Sequence, residues 1–251
     1  MKKTIYYNNF TDDVVTSKNQ NYQLKKNFKW IHYNIFYKMV SYLLYYIFLL
    51  ISLFYAKIFL HVHVKNKELL KHKNNYFLYG NHTQMIGDAF VPPLITFPIR
   101  PYFVVNKANL GVPFLGKLLP MLGAIVIPDG IHDMIKFRKA VTYFNEKHPI
   151  IIYPEAHVWP YYTGVRAFNN SAFQFAIEEK KEIFAMTTTY QKRRNSHKPK
   201  IVIYIDGPFL IDPNISKKAN CEILANNVKE TMLKRSQLSN VEYIKYQKKE
   251  G

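Results

Sequence analysis

Residues 76–90 read YFLYGNHTQMIGDAF. The run Tyr76–Tyr79 is short, apolar and aromatic, the pattern of a buried strand. It stops at Gly80, and the polar pair Asn81-His82 follows at once. Asp88 stands six residues past His82, at the start of a new apolar stretch. A histidine and a carboxylate at the end of a strand make a base and its orienter when the loop folds them together. The carboxylate holds one ring N–H, and the other ring nitrogen is left to take a proton. No serine or cysteine stands beside the pair in a nucleophile elbow, so the expected nucleophile is a hydroxyl on the substrate. The bland alternative is a helix N-cap at Asp88 after an incidental loop histidine.

Working outward from this stretch, apolar runs and helical patterns alternate. Strands are expected at Leu60–Val64, Tyr76–Tyr79, Tyr102–Val105, Ala124–Ile127, Ile150–Tyr153, Ile183–Thr188 and Ile201–Ile205, each rich in Val, Ile, Tyr and Phe. Helices are expected at about His132–Glu146, Ser171–Glu178 and Ser216–Arg235. In the last of these, Ile223, Leu224, Val228, Met232 and Leu233 form an apolar stripe at helical spacing. The alternation predicts an α/β fold with a mixed, largely parallel sheet flanked by helices. The chain divides into residues 1–58, a polar arm followed by a membrane-associated helix, and residues 59–251, the α/β domain. The arm, to about Lys29, reads as loosely ordered or as a short surface helix.

Met39–Ala56 carries no charged residue over 18 positions. That is near the lower limit for a bilayer span. Lysines crowd both flanks: Lys25, Lys26, Lys29 and Lys38 before it, Lys57, Lys65 and Lys67 after it. The positive-inside rule therefore selects no direction, and a segment lying in the interface suits both flanks. Membrane attachment is favoured over a buried core helix because the segment is apolar all round. Lys and Arg exceed Asp and Glu by 35 − 17 = 18. That balance suits an anionic partner, whether a membrane surface, a phosphorylated substrate or nucleic acid. Aromatic residues are 16% of the chain, but no RNA- or DNA-binding motif accompanies them. The single Cys221 excludes an internal disulfide and a C-x-x-C metal site. His61 and His63 stand two apart, on one face of the expected strand, and could offer two metal ligands, but no third lies nearby; a zinc site that adds His82 is the weakest alternative, and no metal is expected.

Three further stretches carry candidate chemistry. Lys107-Ala-Asn-Leu-Gly-Val-Pro113-Phe-Leu-Gly116-Lys117 has the Gly and Pro of a tight loop and apolar residues suited to a groove or a bilayer. Glu155 follows the run Ile150–Ile152, at the carboxyl end of a strand, where open α/β sheets place their sites. Arg166 precedes a helix start, a good position for an anion.

In order and spacing, these stretches together resemble the glycerolipid acyltransferase family that includes the 1-acylglycerol-3-phosphate acyltransferases. The family's N-H-x4-D is matched by Asn81-His82 and Asp88. Its K-x5-P-x2-G element is matched by Lys107, Pro113 and Gly116, with Gly123 beyond. Its F-P-E-G-T-R-S is matched by Tyr153-Pro154-Glu155-Ala156, and its F-K-x-G-A-F-like helix start by Phe168 to Phe173. The resemblance covers about Phe59 to Arg235. It implies His82 and Asp88 as catalytic residues, and Asn81, Lys107, Pro113, Gly116, Glu155 and Arg166 on the substrate side. It implies acyl-CoA or acyl carrier protein as donor substrate with no cofactor, membrane lipid as partner, no nucleic acid, and the cytoplasmic face of the cell membrane. A non-catalytic, membrane-bound lipid-binding relative is the alternative. This chain has five residues between His82 and Asp88 where the family has four. Ala156, His157 and Val158 stand where Gly, Thr and Arg are usual, and Asp129 stands where the second element ordinarily ends near an Arg. Both arginines tied to an acceptor phosphate are thus missing, with Arg166 or Arg100 the available substitutes.

Overall fold

The computed structural model describes residues 3–15 and 21–249. The parts of the N-terminal arm at 1–2 and 16–20 lie outside the described residues. Seven strands form the main sheet: β2 (His63–Lys65), β3 (Phe77–Gly80), β4 (Tyr102–Asn106), β5 (Ala124–Ile127), β6 (Ile150–Ile152), β7 (Ile183–Arg193) and β8 (Ser196–Phe209). Their order is β2-β8-β7-β3-β6-β4-β5. All neighbours are parallel except the long hairpin β7–β8. The expected mixed, largely parallel sheet is what forms.

Both faces of this sheet are covered at its centre, which explains why β3 and β6 are buried without alternation. Phe77 and Tyr79 of β3 point to one face, with Ile150, Ile152, Ile183 and Ala185. Against them pack α5 (Ile131–Asn145) through Phe137, Ala140 and Val141, α6 (Gln174–Glu178) through Ala176, and α7 (Lys217–Ser236) through Leu224, Val228 and Met232. Tyr76 and Leu78 point the other way, with Ile151, Phe184, Met186, Ile203 and Ile205, and meet Leu60, Leu70, Val91 and Ile95. The helices on this second face are short: α2 (Gly87–Phe90), α3 (Pro92–Thr96) and α4 (Leu115–Leu118).

α1 (Ile35–Tyr55) continues into a π-helical turn at Ala56–Leu60. Together they are 26 residues, about 39 Å of helix. Only a narrow stripe, Ser41, Tyr45, Leu49, Ser52, Ala56 and Leu60, is buried against the body. The outward face carries Phe36, Met39, Leu43, Ile47, Leu50, Ile51 and Phe54, all exposed. A helix of a water-soluble core buries its apolar side; this one turns its small and hydroxylated residues inward. His61 adopts a left-handed conformation just past the turn, so β2 begins only at His63. The expected strand Leu60–Val64 is therefore shortened, and the two histidines do not share a strand face.

The N-terminal arm departs from expectation. Lys3–Tyr7 is a strand, β1, paired in parallel with β9 (Ile244–Lys248) as a separate two-stranded sheet. Its cause is aromatic packing. Tyr7 and Phe10 of the arm and Tyr246 of β9 gather around the buried Trp159, whose indole N–H donates to the Asp12 carbonyl at 2.9 Å.

Candidate active site

The C-terminal end of β3 delivers Gly80, Asn81 and His82 to one end of the sheet. Asn81 is buried, and both ends of its amide are used. Its oxygen accepts from the Thr188 N–H at 2.7 Å and its nitrogen donates to the Thr188 carbonyl at 3.1 Å. The side chain thus extends the β3–β7 pairing by one step. The expected role of Asn81 at the substrate is taken up by this bond to the neighbouring strand.

His82 Nδ1 lies 2.7 Å from Asp88 Oδ2. The same oxygen accepts the Gln84 backbone N–H at 2.9 Å. An ionised carboxylate only accepts, so Nδ1 carries the proton and Nε2 presents its lone pair. The His82 ring stacks on Tyr153 at 4.6 Å between centroids, and the Tyr153 hydroxyl donates to the Asp88 carbonyl at 2.6 Å. The His82 side chain is 23% exposed and that of Asp88 8%; the base faces out and the acid is sealed behind it.

The residue inserted between His82 and Asp88 is accommodated at the surface. Met85 and Ile86 bulge outward, both exposed, while Asp88 N–H returns to the Gln84 carbonyl at 3.2 Å. Gly87 permits this closure, since a Cβ there would lie 2.9 Å from the Gln84 Cβ. The base of the loop is tied down. Trp159 N–H donates to the His82 carbonyl at 3.0 Å and Tyr161 N–H to that of Thr83 at 2.8 Å. The Tyr190 hydroxyl sits 2.8 Å from Thr83 Oγ1 and accepts from Gln84 Nε2 at 2.8 Å.

Burial pushes the Asp88 carboxyl above its ordinary range, against the pull of the His82 hydrogen bond and charge. A carboxyl raised in the folded state holds its proton more tightly there than in the unfolded chain. Its stabilising contribution is complete below the unfolded pKa and is lost as pH rises through the folded one. Asp88→Asn, which cannot ionise, is expected to gain stability relative to the parent protein between about pH 4 and pH 7. Melting temperatures of both proteins across that range check this; a constant difference would contradict the strain assigned to the buried acid.

Glu155 and Arg166 form a buried ion pair, with Nε–Oε2 at 3.0 Å and Nη2–Oε2 at 2.9 Å. Arg166 also donates to the carbonyls of Phe10 and His157 and lies over the Trp159 ring. The guanidinium is 2% exposed, so the expected anion-holding arginine is spent inside the protein on its own carboxylate. Burial pushes Glu155 up, opposed chiefly by Arg166. Glu155 Oε1 is buried with no hydrogen-bond partner among the described residues, and the His82 charge is close enough to act on this carboxyl. Arg100, the other substitute, is also buried. It is held by Ser41 and the Met121 carbonyl, amid Tyr42, Tyr45 and Tyr102. It precedes β4, at the end of the sheet opposite His82.

The 107–116 loop leaves the C-terminal end of β4, two strands from β3. Lys107 pairs with Asp129, joining the ends of β4 and β5. Pro113 is exposed. Gly116 is buried beneath the loop, where a Cβ would fall 2.1 Å from the Leu110 carbonyl oxygen. Its requirement is backbone packing. Sequence reading missed Gln84, Trp159 and Tyr190, which brace the dyad; Tyr153, which braces it too, entered only as the first residue of the Tyr153-Pro154-Glu155-Ala156 match.

No curated protein matches the sequence. The crystal structure of PlsC, the 1-acyl-sn-glycerophosphate acyltransferase of Thermotoga maritima, matches in fold with a TM-score of 0.54 and 11% identity. The match covers 83% of this chain and 98% of that one. The model of the acyltransferase family matches residues 61–207, which take in the whole His82–Asp88 loop, the Glu155 segment and most of the sheet that carries them. By that match, across more than half of its length, the chain belongs to the acyltransferase family.

Proposed function

We propose that the protein is a membrane-associated O-acyltransferase that moves a fatty acyl group from acyl-CoA or acyl carrier protein to a hydroxyl of a lysophospholipid or related glycerolipid. The observation that carries this reading is the 2.7 Å contact between His82 Nδ1 and Asp88, which leaves Nε2 as the proton acceptor. Nε2 takes the hydroxyl proton as the acceptor oxygen attacks the thioester carbonyl. The C–O bond forms, the C–S bond breaks, and the imidazolium returns its proton to the departing thiolate. Asp88 fixes the tautomer and stabilises the imidazolium.

Glu155, buried against Arg166 with the His82 charge acting on it, backs the acceptor side of the site. The Lys107–Pro113–Gly116 loop is assigned to the bound substrates by the family resemblance, while Asn81 and Arg166 brace the site through their side chains. The inverted polarity of α1 supports attachment to lipid. A single free cysteine and a thiol-borne donor suit the cytoplasmic face of the membrane.

The test is incubation of purified protein in detergent with labelled acyl-CoA and a panel of lysolipids, with and without a phosphomonoester headgroup. A labelled two-chain lipid is the expected product. Absence of product from every acceptor, with either thioester donor, would remove the reading.

A further inference from the structure

The β7–β8 hairpin runs well past the sheet that it belongs to. Thr188 is level with Asn81 through their paired amide and backbone groups, and β7 continues to Arg193. Five further residues at strand spacing carry the tip about 16 Å beyond that level. β7 is parallel to β3, so the tip projects at the same end of the molecule as His82. Residues 191–200 read QKRRNSHKPK, five cations and a histidine without one acidic residue. Lys192, Arg194, His197 and Lys198 are exposed and Arg193 half-buried. Among the described residues, no ion pair ties any of these cations to a carboxylate; the paired cations lie elsewhere.

The neighbourhood of the tip indicates what it meets. β8 carries the chain back from the tip, and Val202 pairs with His63 of β2. The C-terminal turn of α1 precedes β2 directly, so the hairpin stands beyond the end of the helix whose outward face is apolar. Exposed Met85 and Ile86 share that end with His82. A helix face of lipid-soluble side chains that ends at the same end of the sheet as an unpaired cluster of cations matches a bilayer interface with negative headgroups.

We propose that the 191–200 hairpin tip is a second membrane contact, specific for anionic lipid headgroups. It acts with α1 and holds the His82 end of the sheet toward the bilayer. The inference rests on the membrane-associated reading above and adds lipid-charge selectivity to it. The experiment is sedimentation of full-length protein with vesicles of neutral phosphatidylcholine, or of phosphatidylcholine with phosphatidylglycerol. The parent protein is compared with a variant carrying Lys192→Gln, Arg193→Gln, Arg194→Gln and Lys198→Gln. Circular dichroism and melting temperature establish that the variant is folded.

The parent is expected to prefer the anionic vesicles by at least about tenfold in 0.1 M salt, and to lose most of that preference near 1 M. The variant is expected to bind neutral vesicles as the parent does and to show little preference. Equal preference in parent and variant would overturn the proposal. So would an unchanged vesicle preference together with a raised KM for an acyl carrier protein donor, which would give the tip to that acidic protein instead. Neutral-vesicle binding reports α1 alone, so failure of the membrane-associated reading shows separately as no binding to neutral lipid.

Discussion

Replacing His82 by alanine is expected to lower the rate of acyl transfer by about 10²–10⁴-fold, the usual contribution of a positioned general base. The loss should appear in kcat, because the base acts on a proton that moves only as the C–O bond forms. Some stability should go with it, because the buried Asp88 carboxyl loses the ring N–H and keeps the Gln84 N–H. The ring is partly exposed, and its main packing is one face against Tyr153. Initial rates at saturating acyl-CoA, read beside a melting curve of the same preparation, separate the two quantities. A folded variant that kept its rate would mean that the 2.7 Å contact with Asp88 has no chemical use.

The second large effect is on folding. Glu155→Ala strands the Arg166 guanidinium, 2% exposed, with carbonyl oxygens as its remaining partners. Breaking one side of a buried ion pair costs about 3–5 kcal/mol, since the remaining charge keeps its desolvation penalty without its counter-charge. Removing both partners should cost less than the sum of the two single changes, because no uncompensated charge is then left. Unfolding of Glu155→Ala, Arg166→Ala and the double variant in detergent measures this. Strict additivity would show that the two groups do not depend on each other, against the 2.9 Å geometry.

The parts of this fold that were legible in the sequence are those set by local pattern. The β3 and β6 runs are buried along their whole length because both faces of the sheet are covered there, so their strand character shows residue by residue. His82 and Asp88 were legible because they are six residues apart and one loop joins them. Arg166 was misread because a solvated arginine and a buried one look alike until the partner is known. That partner is eleven residues away around a loop of irregular conformation. Asn81 was misread for a related reason: its amide serves a strand more than a hundred positions further on. Gly116 follows the same rule, since what it avoids is the backbone of Leu110. The β1–β9 pair was missed altogether. KTIYY and IKYQK are short and mixed in polarity, and neither announces a strand without the aromatic cluster between them.

That pair sets an order of events during synthesis. β1 leaves the ribosome well before β9, its strand neighbour among the described residues. Until β9 emerges, the Tyr246 face of Trp159 is bare, and the Phe10 and Asp12 carbonyls that meet Arg166 and Trp159 belong to an arm with no strand to lie against. Closing so long a loop adds only modestly to its entropic cost, because that cost grows with the logarithm of length. α1, by contrast, is complete within the first quarter of the chain. A nascent polypeptide can therefore present the apolar face of α1 long before its Glu155 loop is fastened.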